Sequence, residues 1–395
     1  MKNSMKIEFF FYEKNYINFM KTLDNNFTVW YNKVINLKNK VTNERRILMT
    51  LKYCDINPII EPKNIEPLLD DFRILGTFNA AVEKCNGKYY MLLRVAERFQ
   101  EKDKKVLVPI VFENKISKLE FDLDDENYDF SDSRVVVGKS ARFLTSMSRI
   151  LILESDDGIK FNSTGRSILP DNEYEKFGIE DPRITKIEDT YYITYSAISD
   201  KGICTMLAST KDFVDINKEG IIFCPDNKDV VLFPRKINGL YYAIHRPSKS
   251  EFSKPEMWIA SSPDLKFWGN HQHLAGVRCD MWDSERIGAG APPIEIDEGW
   301  LLIYHGATED NVYSLGAMLL DKNNPEKVLK RTKKTILKPN NSYETNGFVN
   351  NVVFSCGHIK KGDKLHIYYG AADETTALVE MNISDILNLM EDEYE

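Results

Sequence analysis

Five times along this chain a short strand recurs with aromatic residues at or near its start and a polar tip. The copies are Tyr89-Tyr90-Met91-Leu92-Leu93-Arg94, Tyr191-Tyr192-Ile193-Thr194-Tyr195, Tyr241-Tyr242-Ala243-Ile244-His245-Arg246, Trp300-Leu301-Leu302-Ile303-Tyr304-His305 and Leu365-His366-Ile367-Tyr368-Tyr369-Gly370. In the first four, a Gly or an acidic residue shortly before the aromatic makes the hairpin turn leading in. A second element follows three of them: a small residue, Asp and an aromatic, within residues 153–161, 207–213 and 259–268. Repeated multi-strand units of this size signal a β-propeller, in which no sheet is stable alone and blades close around an axis. A β-sandwich rich in hairpins is the rival architecture. Five copies predict an all-β chain of five blades.

Length and charge narrow the functions such a scaffold can serve. One closed propeller absorbs most of 395 residues. A net charge of −8 without a basic run argues against nucleic acid or an anionic membrane as partner. Six cysteines (Cys54, Cys85, Cys204, Cys224, Cys279, Cys356) are scattered, with no CxxC pair and no metal-ligand spacing. They read as free thiols in a reducing, cytoplasmic compartment, with no metal site. No apolar run approaches the length needed to span a bilayer.

The segment 1–48 differs in composition from the remainder of the chain. Residues 7–12 are too short and too interrupted by Glu8 for a signal-peptide core. Residues 13–48 are rich in Asn and Lys, with Val29, Trp30, Val34, Ile35 and Leu37 spaced for one weak amphipathic helix. Two readings stay open. The segment is a short helical or disordered extension used for homo-oligomer contacts, or it is a mis-called start. In favour of the second, Glu44-Arg45-Arg46 can be written in codons containing a purine-rich ribosome-binding sequence just upstream of Met49. The catalytic propeller then occupies residues 49–395. Within it, residues 97–140 break the pattern with two expected strands (106–112 and 115–121) and an acidic tract. That stretch is too short and polar for its own core and reads as an insertion in the first blade. The last residues, 384–395, predict a short helix capped by Ser384.

Glu180-Asp181-Pro182-Arg183 is the stretch with the clearest chemical content. Pro182 is expected to push Asp181 into an extended backbone. Arg183 is available to hold a neighbouring carboxylate or a substrate oxygen. Alone, the tetrapeptide would be a strand-entry turn with a surface ion pair. Arg94, Lys228, Arg246, Arg286, His245 and His305, at or near inner-strand positions, change that balance. They predict a cationic funnel in an acidic protein, suited to an anion, and phosphate matches the mixture of Arg forks and a Lys point charge.

These stretches resemble glycoside hydrolase family 130, the β-mannoside phosphorylases and related β-mannosidases. The resemblance rests on Phe78-Asn79-Ala80-Ala81, Leu93-Arg94-Val95, Leu144-Thr145-Ser146, Gly178-Ile179-Glu180-Asp181-Pro182-Arg183-Ile184-Thr185 and Asn227-Lys228-Asp229-Val230-Val231-Leu232-Phe233-Pro234. It continues through His245-Arg246-Pro247, Trp282-Asp283-Ser284-Glu285-Arg286-Ile287-Gly288-Ala289-Gly290, Tyr304-His305-Gly306 and Tyr369-Gly370-Ala371-Ala372-Asp373. Each motif alone is weak; the ordered set is specific. The family's fold, a five-bladed propeller, agrees with the repeat count.

The resemblance implies inverting phosphorolysis of a β-mannoside to α-mannose 1-phosphate and a shortened acceptor. An inverting glycosidase needs a second carboxylate to activate water. Phosphate is already an anionic nucleophile, so a cationic cradle replaces that base. Asp181 matches the family's acid, which delivers its proton through a sugar hydroxyl. Arg94, Lys228, Arg246 and His305 match the phosphate cradle. Asn79 and Asp373 match positions holding the mannosyl unit, with Arg98, Asp283 and Tyr304 as further sugar contacts. Gly370 is expected to let the ligand approach the backbone beside Asp373. Phosphate is a co-substrate, and no cofactor is implied. The partners are small molecules, a β-mannoside and phosphate. The Leu144-Thr145-Ser146 segment and the first-blade insertion point to β-1,2 rather than β-1,4 links.

Each assignment has a structural rival. His305 is also explained as a satisfied strand histidine, Arg286 as a loop brace, and Asp283 as a turn cap. Trp282 and Phe348 are either packing residues or sugar platforms. Arg149 stands where related proteins often carry His. Two other functions remain as alternatives: a phosphate-independent inverting β-mannosidase of the same family, and a non-catalytic carbohydrate-binding propeller. The first should lack the cradle cations, and the second needs neither the acid nor convergent cations.

Overall fold

The computed structural model describes residues 51–392. The two readings of residues 1–48 therefore lie outside the described residues. Among those described, nearly all regular structure is β, arranged as successive antiparallel sheets. The first sheet runs Phe72–Cys85, Lys88–Phe99, Met147–Ser155, Asn162–Ile168. The second runs Ile179–Ile187, Thr190–Ser199, Gly202–Thr210, Asn217–Phe223, and the third Asn227–Leu232, Tyr241–Pro247, Met257–Ser262, Gly269–Ala275. A fourth holds Arg286–Ala289, Gly299–Ala307, Tyr313–Leu320 and Val328–Thr332, extended by Met390–Asp392 and with Ile294–Ile296 also paired to Gly299–Ala307. The fifth runs Val353–Lys361, Lys364–Ala371, Thr375–Asn382, and takes its outer strand, Lys52–Tyr53, from the opposite end of the described chain.

Each aromatic repeat is the second strand of its own sheet, one place in from the edge strand that precedes it in sequence. Its aromatic residues are there because these strands are buried on both faces. In the fourth sheet Leu301 and Ile303 pack with Val353 and Ile367 of the fifth. Leu302, pointing the other way, packs with Val231 and Ile244 of the third. The same sharing joins the first sheet to the second through Leu92, Ile150, Ile193 and Tyr195. Leu207, Phe223, Leu232 and Ala243 join the second to the third. Met91, Leu151, Tyr368 and Leu378 join the fifth back to the first.

The small-residue–Asp element is a turn built the same way three times. Ser155 Oγ accepts Gly158 N–H, Thr210 Oγ1 accepts Phe213 N–H and Ser262 Oγ accepts Leu265 N–H. Asp157, Asp212 and Asp264 each accept two backbone N–H groups further on. Side-chain oxygens thus satisfy donors that the tight connection leaves without a strand partner.

The insertion forms two hairpin-like sheets: Lys105–Phe112 with Lys115–Asp122, and Tyr128–Asp129, Val135–Gly138 and Arg142–Leu144. Its Val108, Ile110, Phe121 and Val136 gain a core by packing on Ile198 of the second sheet and on Phe177 in the turn before it. The C-terminal expectation needs correcting. The helix is Ile383–Asn388 with Asn382 at its N-cap, and Met390–Asp392 is a strand. Ser384 lies inside the helix and donates its hydroxyl to Asp363 instead of capping.

Candidate active site

Three edge strands carry the same irregularity at the same place. In the first sheet Asn79 and Ala80 stand opposite one partner residue, in the second Asp181 and Pro182, in the third Asp229 and Val230. The leading residue of each pair has a left-handed backbone, with φ of 53° at Asn79, 51° at Asp181 and 56° at Asp229. Asn and Asp tolerate that region better than other side chains with a Cβ. Such a bulge re-aims a side chain out of the pleat. Asp181 is therefore left-handed, not extended as Pro182 suggested. All three side chains are buried.

The bulges bring two carboxylates into two different cationic settings. Asp181 Oδ1 accepts from Asn79 Nδ2 at 2.9 Å and from Arg94 Nη1 at 2.9 Å. Arg94 uses all three of its nitrogens: Nη2 reaches Glu180 at 2.6 Å, Nε reaches Ser148 Oγ at 3.1 Å, and its plane lies over Phe78. Burial alone would raise the Asp181 pKa, but Arg94, Lys228 and Arg183 together with the Asn79 bond hold it below the ordinary value.

Asp229 is the second hub, and its role escaped the sequence. Arg246 Nε donates to Oδ2 at 2.6 Å, Arg183 Nη2 to Oδ1 at 3.1 Å, and His305 Nε2 lies 3.3 Å from Oδ2. Arg183 is further fixed by carbonyls of Asp181 and Gly290. Burial lowers the His305 pKa even though the Asp229 carboxylate beside it pulls the other way. Gly288 is required here, because a Cβ would collide with Asp229 and His305.

Two cations keep free donors. Lys228 makes no hydrogen bond or ion pair among the described residues, and Arg246 spends only Nε, leaving its terminal nitrogens unassigned there. They sit directly opposite each other across two strands. Like charges so placed repel, and an anion between them would relieve the repulsion. Asp373, left-handed with φ 51°, lies on the turn after Lys364–Ala371 and faces Arg94, Lys228, Asp181 and Glu180. Burial, then repulsion from Asp181 and Glu180, raises its pKa to about 6 despite Arg94 and Lys228.

The structure thus brings together Asn79, Arg94, Asp181, Lys228, Arg246, His305 and Asp373. Asp283 and Tyr304 join a different cluster: Asp283 accepts from Arg278, from Arg331 at 2.7 Å and from Tyr304 OH at 2.8 Å, and is fully buried. Those donors occupy the oxygens a sugar would need. Arg98 is four residues from Arg94, about 13 Å along the strand, and its charged neighbours are Arg73 and Glu101. His245 is no part of a cationic funnel, since burial lowers its pKa to about 3 and it lies between Asn227 and His271. Arg286 bonds Tyr313 OH and Asn311 at the rim. Arg149 pairs with buried Glu97. Trp282 packs on Tyr304, while Phe348 is largely exposed. The space beside Gly370 is filled by the Asn79 side chain, not left for a ligand. Among the described residues no group of His, Cys, Asp and Glu is arranged to hold a metal ion, and no helix is long and apolar enough to cross a membrane.

Comparison with known proteins places this geometry. The sequence profile of the glycoside hydrolase 130 family, described as beta-1,4-mannooligosaccharide phosphorylase, matches residues 129–392. A beta-1,2-mannobiose phosphorylase from Listeria innocua is 49% identical over 343 residues, covering 85% of this chain and 97% of that protein. A 1,2-beta-oligomannan phosphorylase from a Thermoanaerobacter species is 40% identical over 63% of this chain and 84% of its own length. The crystal structure of the Listeria innocua enzyme with beta-1,2-mannobiose superimposes with a TM-score of 0.83 at 47% identity, covering 86% of this chain and 99% of that one.

Proposed function

The chain belongs to glycoside hydrolase family 130, and from that footing we propose how its residues carry out the family's reaction. It is an enzyme, a mannoside phosphorylase, that splits β-1,2-linked mannosides with inorganic phosphate. The five sheets are read as the blades of a five-bladed propeller. The cores shared by consecutive sheets, and by the fifth with the first, support that reading. The six free thiols fit a reducing, cytoplasmic setting.

Lys228 and the terminal nitrogens of Arg246 hold phosphate, because they keep free donors and face each other across two strands. Asp229, His305 and Arg183 fix Arg246 in place. Arg94 positions Asp181 through Nη1 while Nε and Nη2 hold Ser148 and Glu180. Phosphate attacks the anomeric carbon from the face opposite the leaving oxygen. The C–O bond breaks with its electron pair going to that oxygen, and a proton from Asp181 reaches it through a sugar hydroxyl. Asn79 and Asp373 hold the mannosyl ring. No second carboxylate has to activate water, which is what separates this design from a hydrolase.

The pairing of Lys228 with Arg246 carries the reading. Incubating the protein with β-1,2- and β-1,4-mannobiose, each with and without phosphate, tests it. Mannose 1-phosphate should form from the β-1,2 disaccharide only when phosphate is present. Free mannose released at full rate without phosphate would replace the reading with that of a hydrolase.

A further inference from the structure

Phe348 is a large apolar side chain that packing leaves 46% exposed. It stands on the segment 346–352, which joins the short helix Ser342–Thr345 to the first strand of the fifth sheet. Both of its neighbours are fixed against one residue. Val349 N–H donates to Ala372 O at 2.9 Å, and Ala372 N–H donates to Val352 O at 3.0 Å. A Cβ on Gly347 would come within 2.7 Å of the Ala372 Cβ. Asp373 is the next residue of that turn. The segment is tied again where it ends: Val352 N–H donates to Glu344 O at 3.1 Å, and Tyr313 N–H of the fourth sheet donates to Asn351 O at 3.0 Å.

The same segment roofs the inner wall of the site. Val349 packs its side chain on Val352, Phe354 and Cys356. Phe354 in turn meets the His305 ring at 4.3 Å between centroids, and the Arg183 guanidinium lies 5.8 Å over it. Phe348 is therefore the crest of a clamped loop, with the Asp373 turn on one side and the His305 wall below. Packing explains why the loop is held there. It does not explain a phenyl ring at the crest, because a polar residue would serve the loop equally and expose no apolar surface to water.

We propose that Phe348 is the platform on which the departing sugar unit stacks, and that it helps decide which acceptors the enzyme takes. The proposal rests on the phosphorylase reading above and deepens it by assigning the side of the site where the acceptor sits. Inversion puts phosphate and the leaving oxygen on opposite faces of the mannosyl ring. Lys228 and Arg246 hold phosphate from the third sheet. In a ring of five sheets, the fifth and the first are the two that do not border the third, and Phe348 belongs to the fifth. A sugar ring has faces made of C–H groups, and an aromatic ring offers them a flat apolar surface with a partially negative face. The acceptor is uncharged, so a platform without charge suits it. Because the loop is clamped before the sugar arrives, little freedom is lost on binding.

Steady-state kinetics in both directions, with wild type, Phe348→Ala and Phe348→Trp, tests this. In synthesis from mannose 1-phosphate and mannose, Phe348→Ala should raise the half-saturating concentration of mannose roughly 3- to 10-fold. The value for mannose 1-phosphate should not change. In phosphorolysis the same variant should raise the value for β-1,2-mannobiose and leave that for phosphate alone. Phe348→Trp should restore wild-type behaviour. The ring is exposed, so the melting temperature should stay at the wild-type value in both variants. Wild-type saturation by mannose in Phe348→Ala, or equal weakening of mannose and mannose 1-phosphate, overturns the proposal. So does a variant whose sedimentation changes while its kinetics do not, because the ring would then be a contact between copies of the chain. Either result alongside normal formation of mannose 1-phosphate by wild type removes the platform alone. Wild type that forms no mannose 1-phosphate removes the functional reading, and this proposal with it.

Discussion

Asn79 Nδ2 donates to Asp181 Oδ1 across 2.9 Å, tying together the edge strands of two neighbouring sheets at matching bulges. The Asp181 carboxylate is therefore aimed by a residue 102 positions away in sequence. Its direction depends on the packing of two sheets rather than on one loop.

Replacing Asp181 tests the proposed acid. Asp181→Asn keeps the shape and the Arg94 and Asn79 neighbours but removes the transferable proton. Turnover should fall roughly 100- to 10,000-fold with little change in phosphate affinity. A variant keeping a third or more of wild-type turnover would place the acid elsewhere.

The nucleophile's cradle should separate from the sugar site in kinetics. Lys228→Ala removes a free ammonium, a point charge suited to phosphate. Loss of one charge-assisted bond should raise the phosphate concentration for half-maximal rate roughly 10- to 100-fold, with a much smaller change for mannoside. Asp229→Asn should act in the same direction, because it weakens the 2.6 Å bond that orients Arg246. Equal effects on both substrates would make Lys228 part of the general architecture.

Much of the scaffold was legible because burial on both faces writes a strong local signal. Tyr191 to Tyr195 or Trp300 to His305 must be apolar or aromatic at almost every position, wherever the sheet sits. The bulges were not legible in this way. A left-handed Asn79, Asp181 or Asp229 depends on register with the next strand, and Asn and Asp occur in many other places. Asp229 looked like a neighbour of Lys228, yet only the fold shows Arg183, Arg246 and His305 converging on it. Asp283 shows the converse. Its motif suggested a sugar contact, while Arg278 and Arg331, far from it in sequence or hidden in a loop, already hold its oxygens.

The Asp283 cluster has a measurable counterpart. Asp283→Ala should take a shared carboxylate from buried Arg331 and half-buried Arg278 and cost about 3–5 kcal/mol of stability. Urea unfolding would read this directly. The half-saturating concentrations of mannoside and phosphate should change little at a temperature where the variant is folded. A large rise for mannoside with normal stability would return Asp283 to the sugar site.

Gly370 offers a test of the Asn79 contact that leaves every polar residue in place. A Cβ there would run into the Asn79 side chain and lie 2.9 Å from its backbone nitrogen. Gly370→Ala should therefore displace the group that aims Asp181. Misplacement by about 1 Å can cost on the order of 100-fold in rate, whereas the overpacking itself costs only about 1–3 kcal/mol. Activity lost in a folded variant supports the contact, and unchanged turnover would show that Asp181 does not need it.

Asp373 links the chemistry of the site to the pH dependence of stability. Its pKa is raised from 3.8 to about 6 in the folded chain, by burial first and then by Asp181 and Glu180. A raised carboxyl pKa means that the native state binds the proton more tightly than the unfolded one. Between about pH 4 and pH 6 the native state holds more protons, so this residue's contribution falls as pH rises through that window. Above it the carboxylate is ionised in both states and its burial opposes folding in full. Asp373→Asn removes that penalty while keeping size and hydrogen-bonding capacity. The variant should therefore melt at a higher temperature than wild type near pH 8, and the difference should fade as pH falls below 4. Melting curves of both proteins across that range decide the matter. A variant less stable than wild type near pH 8, or equally shifted at both ends, would mean that Asp373 is held comfortably as a carboxylate.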